Sequence, residues 1–458
     1  MSGKHVLILG LAREGVSLAR FFAGRGARVT VTDSAPPAQL AGRAGGLADL
    51  GVRCALGGDH PELVTMADEF FVSPGVPEGN VVYRAAVERG LPVQSMTTLF
   101  FDLCPGTIVG VTGSSGKTTT TGLIGHIVRQ AGRDSVVGGN IGDPMLDLLP
   151  RIRSTTTVVL ELSSFQLSIL RRSPHVAVVT NVTPNHLDRH GTMEAYVGAK
   201  LHITEHQHPT DWAVVNAADP YAEAFARSTP GEVRWFSLDG AVTDGATAHG
   251  GWLGLSRDGT FTRVIAEAGV PLLGRHNQEN VLAALCAADI LDVPPDVMRA
   301  AVQAYRPAPH RLQTVAERHG VRYIDDSIAT SPARASVALQ ALSAPVVLIA
   351  GGRDKHLPWD DFARLAVQRA RAVFLIGEAA PIIADALDAA MEHGPGLLDR
   401  RAIVRCGSLE EAVRLASVTA APGDVVLLSP GCASYDMFHD FEERGAIFAG
   451  AVEGLDAA

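Results

Sequence analysis

Short apolar runs of strand length alternate along this chain with stretches whose apolar positions recur at helical spacing. Residues 5–9 form such a run, closed by Gly10; residues 15–23 read as a helix, and residues 28–32 as a strand of β-branched alternation ending at Asp33. This is a βαβ unit. Residues 70–72, followed by Ser73-Pro74-Gly75, give a later strand and its carboxyl-end loop, where open α/β sheets hold ligands. A second run begins with a strand at 107–111. The helix after it places Leu123, Ile124, Ile127, Val128 and Ala131 on one face, and strands at 157–160 and 176–180 finish at Glu161 and Asn181. Residues 274–277 open an alanine-rich helix running to residue 290. Strands at 321–324, 346–349, 372–376 and 425–428 alternate with helical stretches, a third parallel-sheet pattern.

A chain of 458 residues exceeds what one core supports, and three such units account for it. The boundaries fall near residue 95 and at Arg306-Pro307-Ala308-Pro309-His310-Arg311, whose prolines make a stiff connector. Hydrophobic residues at 47% and charged ones at 19% exclude a disordered chain. A net charge of −10 without a Lys/Arg cluster argues against nucleic acid as a partner. The five cysteines have no Cys-x-x-Cys spacing and read as free thiols in a reducing cytoplasm. The apolar run at the N-terminus is cut by Gly10, Arg13 and Glu14, too short for a signal peptide or membrane insertion.

The most informative stretch is Thr112-Gly113-Ser114-Ser115-Gly116-Lys117-Thr118, between a strand and a helix. Its glycines let successive N–H groups turn inward on an anion, the helix start adds its positive end, Lys117 adds charge and the Thr118 hydroxyl suits Mg²⁺. A strict P-loop has glycine where Val111 stands, so this is a shortened form. The fold expected is therefore α/β in three domains: an N-terminal Rossmann-like domain over residues 1–95, a central P-loop ATPase-like domain over 96–306 and a C-terminal Rossmann-like domain over 307–458.

Other positions gain or lose weight against that loop. Glu161, at a neighbouring strand end, stands where a hard cation on the nucleotide would sit. His186 and Asp188 follow the next strand on the same edge. Gly10-Leu11-Ala12-Arg13-Glu14-Gly15 with Asp33 resembles a dinucleotide fingerprint, but Ala12 replaces the central glycine that gives close approach to a pyrophosphate, which disfavours a nicotinamide-dependent oxidoreductase. Lys200, on a helical stretch, reads by pattern as a solvated surface lysine. Lys355, after two glycines at a strand's end, is a better anion ligand.

Taken together, Thr112 to Thr119, Glu161-Leu162-Ser163-Ser164-Phe165-Gln166-Leu167, Asn181 to Arg189, Gly138-Gly139-Asn140-Ile141-Gly142, His310-Arg311 and Leu428-Ser429-Pro430-Gly431-Cys432-Ala433-Ser434 with Phe441 resemble the Mur ligases of peptidoglycan synthesis over all three domains. The resemblance implies an ATP-dependent ligase that joins D-glutamate to UDP-N-acetylmuramoyl-L-alanine through an acyl phosphate, with L-glutamate as the alternative acceptor; a monomer is expected. By the same likeness Gly113, Ser114, Ser115, Gly116, Lys117, Thr118, Thr119, Asn277, Asn280, Arg311 and Asp326 hold ATP. Thr118, Glu161, His186 and Lys200, the last as a carbamate, organise two Mg²⁺ ions. Arg13, Glu14, Asp33, Ser34, Ser73, Gly75 and Asn140 hold the UDP moiety, and Thr330, Lys355, Ser434 and Phe441 meet glutamate. Catalysis would rest on Lys117, Glu161, His186 and Lys200. Two positions depart from the family pattern: Ile328 replaces a lysine in Asp326-Ser327-Ile328-Ala329-Thr330, and Asn185 replaces an Asp before the histidine.

Overall fold

The run His5–Leu9 is buried along its whole length because it lies inside a parallel sheet, between Arg28–Asp33 and Glu69–Val72. Arg53–Leu56 and Val93–Gln94 are the edges. The computed structural model describes residues 3–306, 309–342, 344–355, 357–392 and 396–456. Pro307 and Ala308 of the connector lie outside the described residues. Among those described, three sheets of five, nine and six strands form.

The second sheet fixes the phosphate loop. Thr107–Thr112 pairs in parallel with Thr157–Glu161 on one side and Val176–Val179 on the other, with Val111 opposite Glu161 and Thr112 opposite Val179. Both neighbouring strands therefore end level with the loop, which is why Glu161 and Asn181 flank it. Three strands from Gly245 to Ala266 extend this sheet, and their last two pairings are antiparallel.

The chain divides into two compact units. The first comprises residues 1–271 and 277–305, so it contains the first two sheets. One apolar cluster explains their union, running from Phe22 and Phe71 through Met96 and Phe100 to Val158 and Leu160. Polar contacts reinforce it: Ser17 Oγ donates to Asp147 at 2.8 Å and the Arg13 guanidinium to the Gly142 carbonyl at 2.5 Å.

The second unit comprises residues 272–276 and 306–458. Its sheet has Val321–Asp325, Val425–Leu428, Val346–Gly351 and Ala370–Ile376 as successive parallel strands, with Gln313–Arg318 antiparallel at one edge. All five cysteines are free thiols. Among the described residues no helix is long and apolar enough to cross a membrane.

Candidate active site

Glycine is required at both ends of the phosphate loop. Gly116 has φ +78° and caps the helix Lys117–Gln130, and a Cβ there would lie 2.2 Å from Asn280 Oδ1; at Gly113, φ +151°, it would lie 1.9 Å from Thr180 Oγ1. The chain after Val176–Val179 holds the loop open. Ser114 N–H donates to the Asn181 carbonyl at 2.8 Å, Ser115 N–H to Asn181 Oδ1 at 3.0 Å, and Thr180 Oγ1 to the Ser115 carbonyl at 2.6 Å. Ser114 Oγ also donates to the Thr183 carbonyl and lies 2.9 Å from the Tyr196 hydroxyl. Thr119 is buried in the first helical turn. Asn277 and Asn280, bonded to each other at 3.0 Å, support that turn through Thr120.

Below the loop, Glu161 is buried and collects donors. Thr118 Oγ1 reaches one carboxylate oxygen at 2.7 Å and Asn140 Nδ2 the other at 2.9 Å. Lys117 Nζ lies against the loop carbonyls of Gly113 and Ser114.

Lys200 overturns its sequence reading. The side chain is 1% exposed, with Nζ donating to Thr112 Oγ1 at 3.2 Å and to the Gly113 carbonyl at 3.0 Å. The helix Met193–Glu205 buries Tyr196, Val197, Lys200, Ile203 and Thr204 on one face, so a lysine standing in an inward position is drawn under the loop rather than into water. Burial drives its pKa well below the ordinary lysine value, and Lys117 adds to the drop, while Glu161 opposes it.

His186 has left-handed backbone, φ +54°, at the start of the single turn Leu187–His190. Its ring lies edge-on to Phe165 at 5.2 Å, while His190 stacks on the same phenyl at 4.9 Å and meets Ser164 Oγ at 2.9 Å. Sequence reasoning missed this aromatic clamp and the Ser114–Tyr196 contact.

In the first domain, both Asp33 oxygens are used: one accepts from Leu11 N–H at 2.7 Å and the other from Ala35 N–H at 2.9 Å. Ser73 Oγ donates to the Gly10 carbonyl. Ser34 and Gly75 are exposed beside these turns. Glu14 accepts from Gln166 Nε2 at 3.0 Å, and burial raises its pKa.

In the second unit, Asp326 is buried at a strand end, accepting from Ser429 Oγ at 2.8 Å and from Leu312 N–H at 3.2 Å. Burial raises its pKa to about 7, with Arg311 among the opposing influences. An acid whose folded pKa exceeds its unfolded one supports the fold fully below the unfolded value and loses that contribution as pH rises toward the folded one. Asp326→Asn should therefore gain on the wild type by about 1.4 kcal/mol per pH unit between roughly pH 4 and 7 and level off above, read as the difference in Tm across pH. A difference independent of pH would refute the assignment.

Thr330 precedes the helix Pro332–Ala341, Ser434 is buried, and Phe441 opens the helix Phe441–Glu453. Lys355 is exposed, and desolvation with the cations Arg334 and Arg444 nearby lowers its pKa. Arg444, unremarked in the sequence, is fully buried and donates to the Cys432 and Ala433 carbonyls and to Ser327, tying the Ser434 loop to the loop before Thr330.

Known proteins bear on this geometry. Three family models match in series: the Mur ligase MurD-like N-terminal domain over residues 4–95, the Mur ligase middle domain over 111–288, and the Mur ligase glutamate ligase domain over 310–432. The chain belongs to the Mur ligase family. It is 44% identical to the UDP-N-acetylmuramoylalanine–D-glutamate ligase of Symbiobacterium thermophilum, over 99% of this chain and 98% of that one. It is 42% identical to the ligase of that name from Roseiflexus sp., over 99% of each chain. Among solved structures, the UDP-N-acetylmuramate-alanine ligase of Thermotoga maritima superposes with a TM-score of 0.58 at 18% identity, covering 98% of this chain and 99% of that one, which supports the fold.

Proposed function

We propose that this chain joins D-glutamate to the alanyl carboxylate of UDP-N-acetylmuramoyl-L-alanine, using ATP, in peptidoglycan precursor synthesis in the cytoplasm. The observation that carries the reading is the corner where Thr118 and Asn140 converge on buried Glu161 beneath the phosphate loop. Relatives of that name, matched over 98–99% of their length, support this choice of substrates.

A carboxylate is a poor electrophile, so amide formation in water needs activation. The alanyl carboxylate attacks the γ-phosphate of ATP, held by the loop amides and Lys117, and the acyl phosphate formed is opened by the glutamate amine. Positioning and charge neutralisation supply most of the acceleration. The UDP moiety rests on the turn at Arg13 and Glu14, Asp33, Ser34, Ser73 and Gly75, with Asn140; Asn277, Asn280, Arg311 and Asp326 take the rest of ATP; Thr330, Lys355, Ser434 and Phe441 take glutamate.

Among the described residues no three His, Cys, Asp or Glu side chains cluster at metal spacing. A hard cation that keeps waters and takes phosphate oxygens needs only one or two protein carboxylates, and the Thr118–Glu161 pair fits it. Mg²⁺ bound at two sites there, with His186 and Lys200 as further ligands, would neutralise phosphate charge. Lys200 supplies an oxygen ligand only as a carbamate. Burial disfavours its ammonium, which shifts the balance toward the free amine that reaction with CO₂ requires.

The assay is phosphate release from ATP with UDP-N-acetylmuramoyl-L-alanine, comparing D-glutamate, L-glutamate and other amino acids. Release dependent on both the UDP substrate and D-glutamate is expected. Equal release with L-glutamate would trace to Ile328 and overturn the acceptor assignment, and release independent of the UDP substrate would overturn the function.

A further inference from the structure

His310 stands beside Arg311 in a motif from which the reading above uses only the arginine. Its Nδ1 lies 2.7 Å from Asp325 Oδ2, and Asp325 Oδ1 accepts from Ser327 N–H at 2.8 Å. The carboxylate is 2% exposed and the imidazole 18%. The pair is held from several sides. His310 has left-handed backbone, φ +62°, its carbonyl accepts from Ile328 N–H at 3.1 Å, and its ring lies edge-on to Phe441 at 6.3 Å. On the helix Phe441–Glu453, a Cβ at Gly445 would fall 2.0 Å from Nδ1 and 2.6 Å from Asp325 Oδ2, so only glycine lets that helix close on the pair.

A buried carboxylate on Nδ1 fixes the neutral tautomer with its proton on that nitrogen and leaves Nε2 as a lone pair; it also stabilises the imidazolium that forms when Nε2 takes a proton. Among the described residues Nε2 makes no hydrogen bond. The charged groups around the pair are Asp326 at the same strand end, Arg311 beside it in the chain, and Arg444 on the helix that packs over it.

We infer that His310 is the general base for the incoming amino group and that Asp325 is its positioning residue. The inference rests on the acyl-phosphate reading above. An ammonium carries two protons more than the amide nitrogen. As the C–N bond forms and the bond from the acyl carbon to phosphate oxygen breaks, one proton leaves with the phosphate as HPO₄²⁻ and the other passes to His310 Nε2, then to water.

The test compares two nucleophiles on the full-length enzyme with ATP and the UDP substrate. Glutamate arrives as an ammonium, whereas hydroxylamine is largely neutral near pH 7 and traps an acyl phosphate as the hydroxamate. For His310→Gln, the rate of glutamate ligation should fall about 10²-fold or more while hydroxamate formation stays within a few-fold of wild type. Asp325→Asn, which keeps the side-chain volume, should show the same split between nucleophiles, so one misfolded variant does not decide the matter. Equal loss with both nucleophiles overturns the assignment. No hydroxamate from the wild type would instead remove the acyl-phosphate reading, a separate failure.

Discussion

Lys117→Ala is expected to lose ATP-dependent turnover, with kcat/KM for ATP down by a factor on the order of 10³ or more, while the fold persists. Two losses combine. The first is the cation, held in this structure by the Gly113 and Ser114 carbonyls, that on the proposed reading would meet the transferred phosphate; removing such a charge from an active site costs on the order of 10²–10³ in rate. The second is indirect. Lys117 is the second of the two influences, after burial, that lower the Lys200 pKa, so its removal would also favour the ammonium and disfavour carbamylation. Steady-state kinetics with a melting curve separate loss of function from loss of structure. Retained turnover would remove the phosphate-loop argument.

Lys200→Ala is the second large effect. A surface lysine would change stability by no more than about 0.5 kcal/mol and leave activity alone. A buried lysine bonded to Thr112 and Gly113 behaves otherwise: turnover should fall by about 10²-fold or more, and short carboxylic acids such as acetate should restore part of it by entering the vacated space as the missing carboxylate. Lys200→Arg, too long to leave that space, should be inactive and not rescued. An alanine variant with normal turnover would end the carbamate proposal. Inactivity without rescue would reassign Lys200 to fixing the loop through Thr112 and Gly113.

Much of this was legible in the sequence because strands and loops write themselves locally. The runs at 5–9, 157–160 and 425–428 were found close to their bounds, and the strand before the phosphate loop extends only one residue further, to Thr112. The helix after Gly10 starts at Arg13, two residues early, because nothing in Arg13-Glu14 opposes a helical start. What stayed hidden depends on non-local packing. Lys200 looks exposed until its helix is laid against the loop. Arg444 lies more than a hundred residues from the Ser327 it binds, and the Asp325–His310 pair joins a strand end to a connector. Asp33 was read as part of a nucleotide fingerprint, and only the folded turn reveals its backbone partners.

The second unit borrows residues 272–276 from the middle of the chain, with Leu272 buried and Leu273 packed against the cluster of Ala338, Leu339 and Leu342. Dissection by truncation is therefore asymmetric. A fragment starting at Arg306 would leave an apolar notch open and tend to aggregate, whereas one supplied with that pentapeptide, tethered or in trans, should regain solubility.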